Sequence, residues 1–221
     1  MSTGTLFDMQ SQIPMFTGVP LVEELRPKRI ADFIGLKGPK AVLTKFIASP
    51  RPCAFLFSGP SGCGKTTMGQ ALALELNATL WEVNSQRCNV AALEEVCYHM
   101  AYIPQSGVNG FHLCNVSEAD LMSNAAENFL LSKLDSSGMM ANVIWVFSGN
   151  DVDAKLSERF RSRTLRLDFS PYGSAGEVEA KLREAWDKKM PGIPAPAALK
   201  KAVSGNIRDA YQKLEVLMLE N

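Results

Sequence analysis

Residues 53–67 read CAFLFSGPSGCGKTT, and the two halves of that stretch make different demands on the chain. Cys53 to Phe57 is a continuous apolar run, the pattern of a strand buried in a parallel sheet. It breaks into Gly59-Pro60-Ser61-Gly62-Cys63-Gly64-Lys65-Thr66, which fits G-x-x-x-x-G-K-[ST], and a helix of small and apolar residues follows through Leu76. Glycines at those positions let backbone N–H groups curl around phosphates. A lysine there reaches the β and γ oxygens, and the next hydroxyl ligates Mg²⁺. The helix that starts at the loop turns its positive end toward the same anion. A loop of this kind needs a buried strand before it and a helix after it, and it has both. The expected ligand is therefore a nucleoside triphosphate with Mg²⁺. The expected binding residues are Gly59 to Gly64, Lys65, Thr66 and Thr67, with Thr66 on the metal.

Outward from the loop the same alternation repeats. Strand patterns at TLWEV (79–83), FHLCNV (111–116) and NVIWVFSGN (142–150) are separated by helical ones. In the first of these helices Leu93, Val96, Cys97 and Met100 recur at i, i+3, i+4 and i+7; another is expected over 122–134. Upstream of the loop, a helix of about ten residues is expected with Val42, Phe46 and Ile47 on its core side. Strands alternating with helices predict an α/β, doubly wound parallel sheet. From Pro171 the strand signals vanish. Helical patterns remain around Val178–Leu182–Trp186, Leu199–Val203 and Ile207–Tyr211–Leu214. The reading is a flexible tail over 1–20, an α/β nucleotide-binding domain over 21–170 and a small all-helical lid over 171–221.

The totals exclude several classes. In 221 residues, 23 basic and 23 acidic side chains cancel, so any nucleic-acid contact rests on a local patch. No apolar run approaches the roughly 18 residues of a membrane span, and the N-terminus lacks the charged-then-apolar order of a signal peptide. The five cysteines form no C-x-x-C, and His99 and His112 have no metal-ligand spacing to them. Free buried thiols in a cytoplasmic protein are the expectation, with no membrane contact.

With the phosphate loop in place, five further segments fall into a known order. They are LRPKRIADFIG (25–35), WEVNSQRCNVAALEEV (81–96), VSEADLMSNAAENFLLSKLD (116–135), VFSGND (146–151) with LSERFRSR (156–163), and SGNIRDAYQKLE (204–215). In this order the chain resembles the AAA+ ATPases. Within them it is closer to the clamp-loader small subunits than to the branch-migration motors, and the likeness runs from about Leu21 to the C-terminus. The resemblance implies a P-loop NTPase core with a helical lid. It implies that the first segment helps enclose the adenine and that Glu118 polarises the attacking water. Asn150 would place that water as sensor 1. Arg163 would be an arginine finger reaching a neighbour's γ-phosphate, and Arg208 a sensor 2 on the lid. Read singly, Asn150 is also suited to cap a turn, and Arg208 to a solvated helix face. Because a finger acts in trans, other AAA+ subunits are expected as partners in a homo- or hetero-oligomer.

Two departures qualify the resemblance. The family writes the end of the third segment's strand as Asp-Glu-Ala-Asp, and here Ser117 stands where the first Asp belongs. A serine brings no charge, although its hydroxyl can hydrogen-bond a metal-bound water, so Ser117 stays a metal-side candidate. Losing such outer support typically costs about 10–100-fold in metal affinity or activity. Since Glu118, Asn150 and Arg163 remain, the expected activity is slow or conditional, DNA-stimulated ATP hydrolysis with a sliding clamp in replication or repair. The alternative is a nucleotide-switched adaptor with little turnover, and a branch-migration-type motor stands third. The second departure is that the sequence ends with the lid, without the collar domain of clamp loaders.

Two peripheral features complete the reading. The resemblance puts the start of the helix after the second strand near DNA, where Ser85, Gln86, Arg87 and Asn89 suit phosphate contacts without sequence information or, alternatively, an ordinary solvated helix end. In the tail, Gln12-Ile13-Pro14-Met15-Phe16 resembles the Gln-Leu-x-Leu-Phe peptide of bacterial clamp-docking proteins. A glutamine for polar contacts, aliphatic Ile13 and Met15, and an aromatic Phe16 suit an apolar pocket, with Pro14 keeping the segment extended. Packing of Ile13 and Phe16 onto the α/β core is the other reading.

Overall fold

A computed structural model describes residues 18–84, 88–102, 110–135, 137–170, 173–203 and 205–220. Two compact units result: Pro27–Ser170, and the described residues up to Arg26 together with those from Gly173 onward. The clamp-type peptide (Gln12, Ile13, Met15, Phe16) and the DNA-side residues Ser85, Gln86 and Arg87 lie outside the described residues.

The larger unit is a five-stranded, all-parallel sheet: β1 Cys53–Ser58, β2 Thr79–Asn84, β3 His112–Ser117, β4 Val143–Gly149 and β5 Leu165–Asp168, in the order β2-β3-β4-β1-β5. The helix α1 Lys37–Ala48 precedes β1; parallel neighbours need crossovers, supplied by α2 Lys65–Leu76, α3 Val90–Met100 and α4 Asn124–Leu134, and two single turns, α5 Val152–Lys155 and α6 Glu158–Arg161, lead into β5. Every residue of β1 and β4 is buried, which explains why both read as unbroken apolar runs. Trp145 stacks on Phe147 at 5.7 Å between ring centroids, and Phe160 meets Phe147 edge-on at 4.9 Å. Burying side chains of this size is worth about 1.5–3 kcal/mol each.

Two details depart from expectation. On α1 the core face is Pro39, Leu43 and Phe46, whereas Val42 is 43% exposed. Phe46 faces the core as expected and packs edge-on against Phe55 at 5.0 Å, but its buried neighbour one turn back is Leu43 at i−3, not Val42 at i−4. β5 was not expected at all. It is a four-residue edge strand with only Leu167 buried, so LRLD carries neither an apolar run nor length.

The smaller unit contains α7 Ala175–Lys189, the turn α8 Leu199–Ala202 and α9 Ile207–Leu219. Ser174 and Glu177 form a reciprocal capping box at the start of α7, and Asn206 caps α9 by accepting the Asp209 N–H at 3.0 Å. Val178, Leu182 and Trp186 are buried, and the Trp186 indole donates to the Ile193 carbonyl at 2.8 Å. The turn Leu21–Glu24, read from the sequence with the α/β domain, packs here: Leu21 is buried, its N–H donates to Glu215, and Glu24 pairs with buried Lys189. No helix among the described residues is long and apolar enough to cross a membrane, and all five cysteines are free and buried.

Candidate nucleotide site

β1 ends at Ser58 and α2 begins at Lys65, so the loop between them is held at both ends by regular structure. At the helix start Gly64 has φ +91°, and a Cβ there would lie 3.1 Å from the Phe33 ring. Glycine meets both demands, since it alone adopts that conformation without strain. Phe33 belongs to the segment expected to enclose the base, and it is buried against the loop.

Lys65 is only 8% exposed. Its ammonium donates to the carbonyls of Gly59 at 2.7 Å and Pro60 at 2.8 Å, and to Asn150 Oδ1 at 2.9 Å. The fold thus brings Lys65 and Asn150, 85 residues apart, into direct contact. Cys63 Sγ lies 3.8 Å from the same nitrogen. Burial pushes the Cys63 thiol up in pKa against the opposing influence of Lys65, so it is a neutral wall atom there, not a nucleophile.

Beside the loop, β3 delivers Ser117 and Glu118. Ser117 is half-buried, pairs in register with Asn84 of β2, and its hydroxyl makes no hydrogen bond among the described residues. Glu118 is exposed and left-handed (φ 53°, ψ 42°). A non-glycine residue held there costs on the order of 1–3 kcal/mol, and such positions cluster at functional sites. Asp120, which was assigned no role from the sequence, is buried. Its Oδ2 accepts the backbone N–H groups of Asn150 and Asp151, both at 3.1 Å, and so shapes the turn that presents Asn150.

Arg163 lies away from these groups in the chain, after α6. Its Nε donates to Asp135 at 2.5 Å and its Nη1 to the Arg159 carbonyl at 2.8 Å. Buried Glu127 on α4 accepts both the N–H and the hydroxyl of Ser157 at the head of α6. The helix after β3 thereby holds the arginine segment at two points. Asn89, read as a phosphate contact, caps α3 by accepting the Ala92 N–H at 2.9 Å. Arg208 is exposed in the first turn of α9, in the smaller unit.

These residues fit a nucleoside triphosphate with its Mg²⁺. The loop offers backbone N–H groups and one buried cation. Thr66 and Ser117 offer hydroxyl oxygens, and Glu118 a carboxylate. Among the described residues no group of three or more His, Cys, Asp or Glu forms a metal site. Mg²⁺ keeps its waters and is held through substrate phosphates with few protein ligands, which the two hydroxyls and the carboxylate can supplement. Asn115, Asp120, Glu127 and Asp135 were missed from the sequence. Only Asn115, a lone amide in an apolar strand, carries a local signal.

Residues 55–172 match the family described as "ATPase family associated with various cellular activities (AAA)". The chain is 28% identical over 202 residues to Replication factor C small subunit 2 of Pyrobaculum arsenaticum, covering 88% of this chain and 62% of that one. It is 30% identical over 174 residues to Replication factor C subunit 3 of Schizosaccharomyces pombe, covering 76% and 50%. The chain thus spans about half to three-fifths of the length of these curated relatives. Among solved structures, the Thermotoga maritima RuvB Holliday junction branch migration motor superposes with a TM-score of 0.69 at 21% identity, over 86% of this chain and 64% of that one. At that identity the likeness establishes the fold alone.

Proposed function

The chain belongs to the AAA family of ATPases, and from that premise we propose that it binds ATP with Mg²⁺ and hydrolyses it slowly or conditionally, as a clamp-loader-like subunit acting with a sliding clamp on DNA in the cytoplasm. The observation that carries this reading is the contact between Lys65 and Asn150, braced by Asp120: a cation suited to phosphate lies against an amide suited to orient water. Similarity to replication factor C small subunits across most of the chain supports the choice of clamp loading over branch migration.

In this reading Gly59 to Thr67 cradle the phosphates and Thr66 ligates the metal, with Ser117 behind it. Glu118 polarises water and Asn150 orients it. Arg208 approaches the γ-phosphate from the lid. Arg163 exchanges its ion pair with Asp135 for the nucleotide of a neighbouring AAA+ subunit. Arg87 meets the DNA backbone, and the peptide Gln12-Ile13-Pro14-Met15-Phe16 docks on the clamp. A second reading, a nucleotide-switched adaptor with little turnover, is favoured by one observation: the position behind Thr66 carries an uncharged hydroxyl.

One assay tests the set. The ATPase rate should rise on adding primed DNA and a sliding clamp. Arg87→Ala should remove the share due to DNA, and Gln12→Ala with Phe16→Ala the share due to the clamp. An equimolar mixture of Arg163→Ala and Lys65→Ala proteins should deviate from the mean of its parts. A rate indifferent to DNA and clamp, with ATP still bound, turns the assignment to the adaptor.

A further inference from the structure

β3 is buried from His112 to Val116, and it contains an amide that the sheet does not need. Asn115 is 1% exposed and lies between β2 and β4, in register with Glu82 and Val146. Its Nδ2 donates to the Thr66 carbonyl at 3.1 Å, and its Oδ1 has no partner. The orientation is forced, because a carbonyl can only accept and the amide nitrogen must face it. A buried oxygen left without a partner is destabilising. A second cost faces it. Gly69 sits inside α2, where glycine is less favourable than alanine. A Cβ on Gly69 would lie 2.5 Å from Asn115 Oδ1 and 2.8 Å from its Cγ. The amide occupies the space that the missing side chain leaves. Two local costs meeting at one contact, three residues along α2 from Thr66, mark a place where stability has been given up for function.

The position says which function. Residues two apart in a strand share a face, so Asn115 lies on the same face of β3 as Ser117, where the family's carboxylate is missing. We propose that Asn115 is a positioning residue for Thr66: by tying the Thr66 carbonyl to the central sheet, it fixes the first turn of α2 and so holds the Thr66 hydroxyl where it ligates Mg²⁺, offsetting the absence of a carboxylate at position 117. The proposal rests on the reading of this site as one for ATP with Mg²⁺.

The test compares ATP affinity with Mg²⁺ and with EDTA, by calorimetry, in the wild-type protein and in Asn115→Val, alongside thermal melting. Wild type should bind ATP more tightly with Mg²⁺. Asn115→Val should lose roughly tenfold of that enhancement, the low end of the loss expected for outer support of a metal ligand. Its affinity in EDTA should stay within about twofold, a change under 0.5 kcal/mol, and its Tm should be at or above wild type. Adding Ser117→Asp to Asn115→Val should restore the enhancement. Should the valine protein not fold, Asn115→Ser, too short to reach the Thr66 carbonyl, gives the same comparison. Retention of the full enhancement makes the amide a packing feature and overturns the proposal, as does an equal loss with Mg²⁺ and with EDTA. If wild type itself shows no Mg²⁺-enhanced ATP binding, the site reading fails first and the proposal with it.

Discussion

Lys65→Ala should weaken ATP binding by roughly 10- to 150-fold while leaving a folded protein. Lys65 is 8% exposed, and its ammonium already gathers the Gly59 and Pro60 carbonyls and Asn150 Oδ1. With nucleotide present those neutral partners would be exchanged for phosphate oxygens. A charge-assisted hydrogen bond is worth about 1.5–3 kcal/mol, and each 1.4 kcal/mol is about tenfold in affinity. The fold does not depend on this side chain, because β1, β4 and the aromatic contacts behind them are formed elsewhere. Titration with a fluorescent ATP analogue and a thermal melt check both parts. An affinity within about threefold of wild type, less than 1 kcal/mol, would remove Lys65 from the phosphate site.

Asp120→Ala should act on stability and on turnover together. Its Oδ2 is the acceptor for two backbone N–H groups, those of Asn150 and Asp151. Deleting it leaves both donors in a part-buried turn, at about 1–3 kcal/mol each, reduced where water can reach them. For a protein of this size that corresponds to a fall in Tm of roughly 4–15 °C. Asp120→Asn keeps an acceptor oxygen of the same reach and should recover most of the loss. Because the turn presents Asn150, Asp120→Ala should slow hydrolysis more than it weakens ATP binding. An Asp120→Ala protein that melts with wild type would show that the turn holds itself.

What could be read in advance follows from where each feature is encoded. The glycine-rich loop is contiguous, so its strand-to-helix setting was legible from residues 53–76. β1 and β4 were legible because burial on both faces leaves an apolar run. β5 was not, since an edge strand of four residues needs only Leu167 to be apolar. On α1, Val42 was placed inward where Leu43 is, because the two are adjacent and equally apolar and each lies one turn from Phe46. The braces of the site escaped for a different reason. Asp120 meets Asn150 across 30 residues and Arg163 meets Asp135 across 28, and neither pairing has a local signature. Asn115 did have one, and its partner Gly69 is what gives it meaning.

The central claim is that this is a working ATP site held back at one position, and single-turnover ATP hydrolysis by wild type, Ser117→Asp and Glu118→Gln tests it most directly. A carboxylate at 117 should raise the rate by roughly 10–100-fold, the range for restored outer support of a metal site. ATP should still bind to all three proteins, and Glu118→Gln should abolish turnover. A rate left flat by Ser117→Asp, with Glu118→Gln still abolishing it, would contradict the account and place the handicap somewhere other than Ser117.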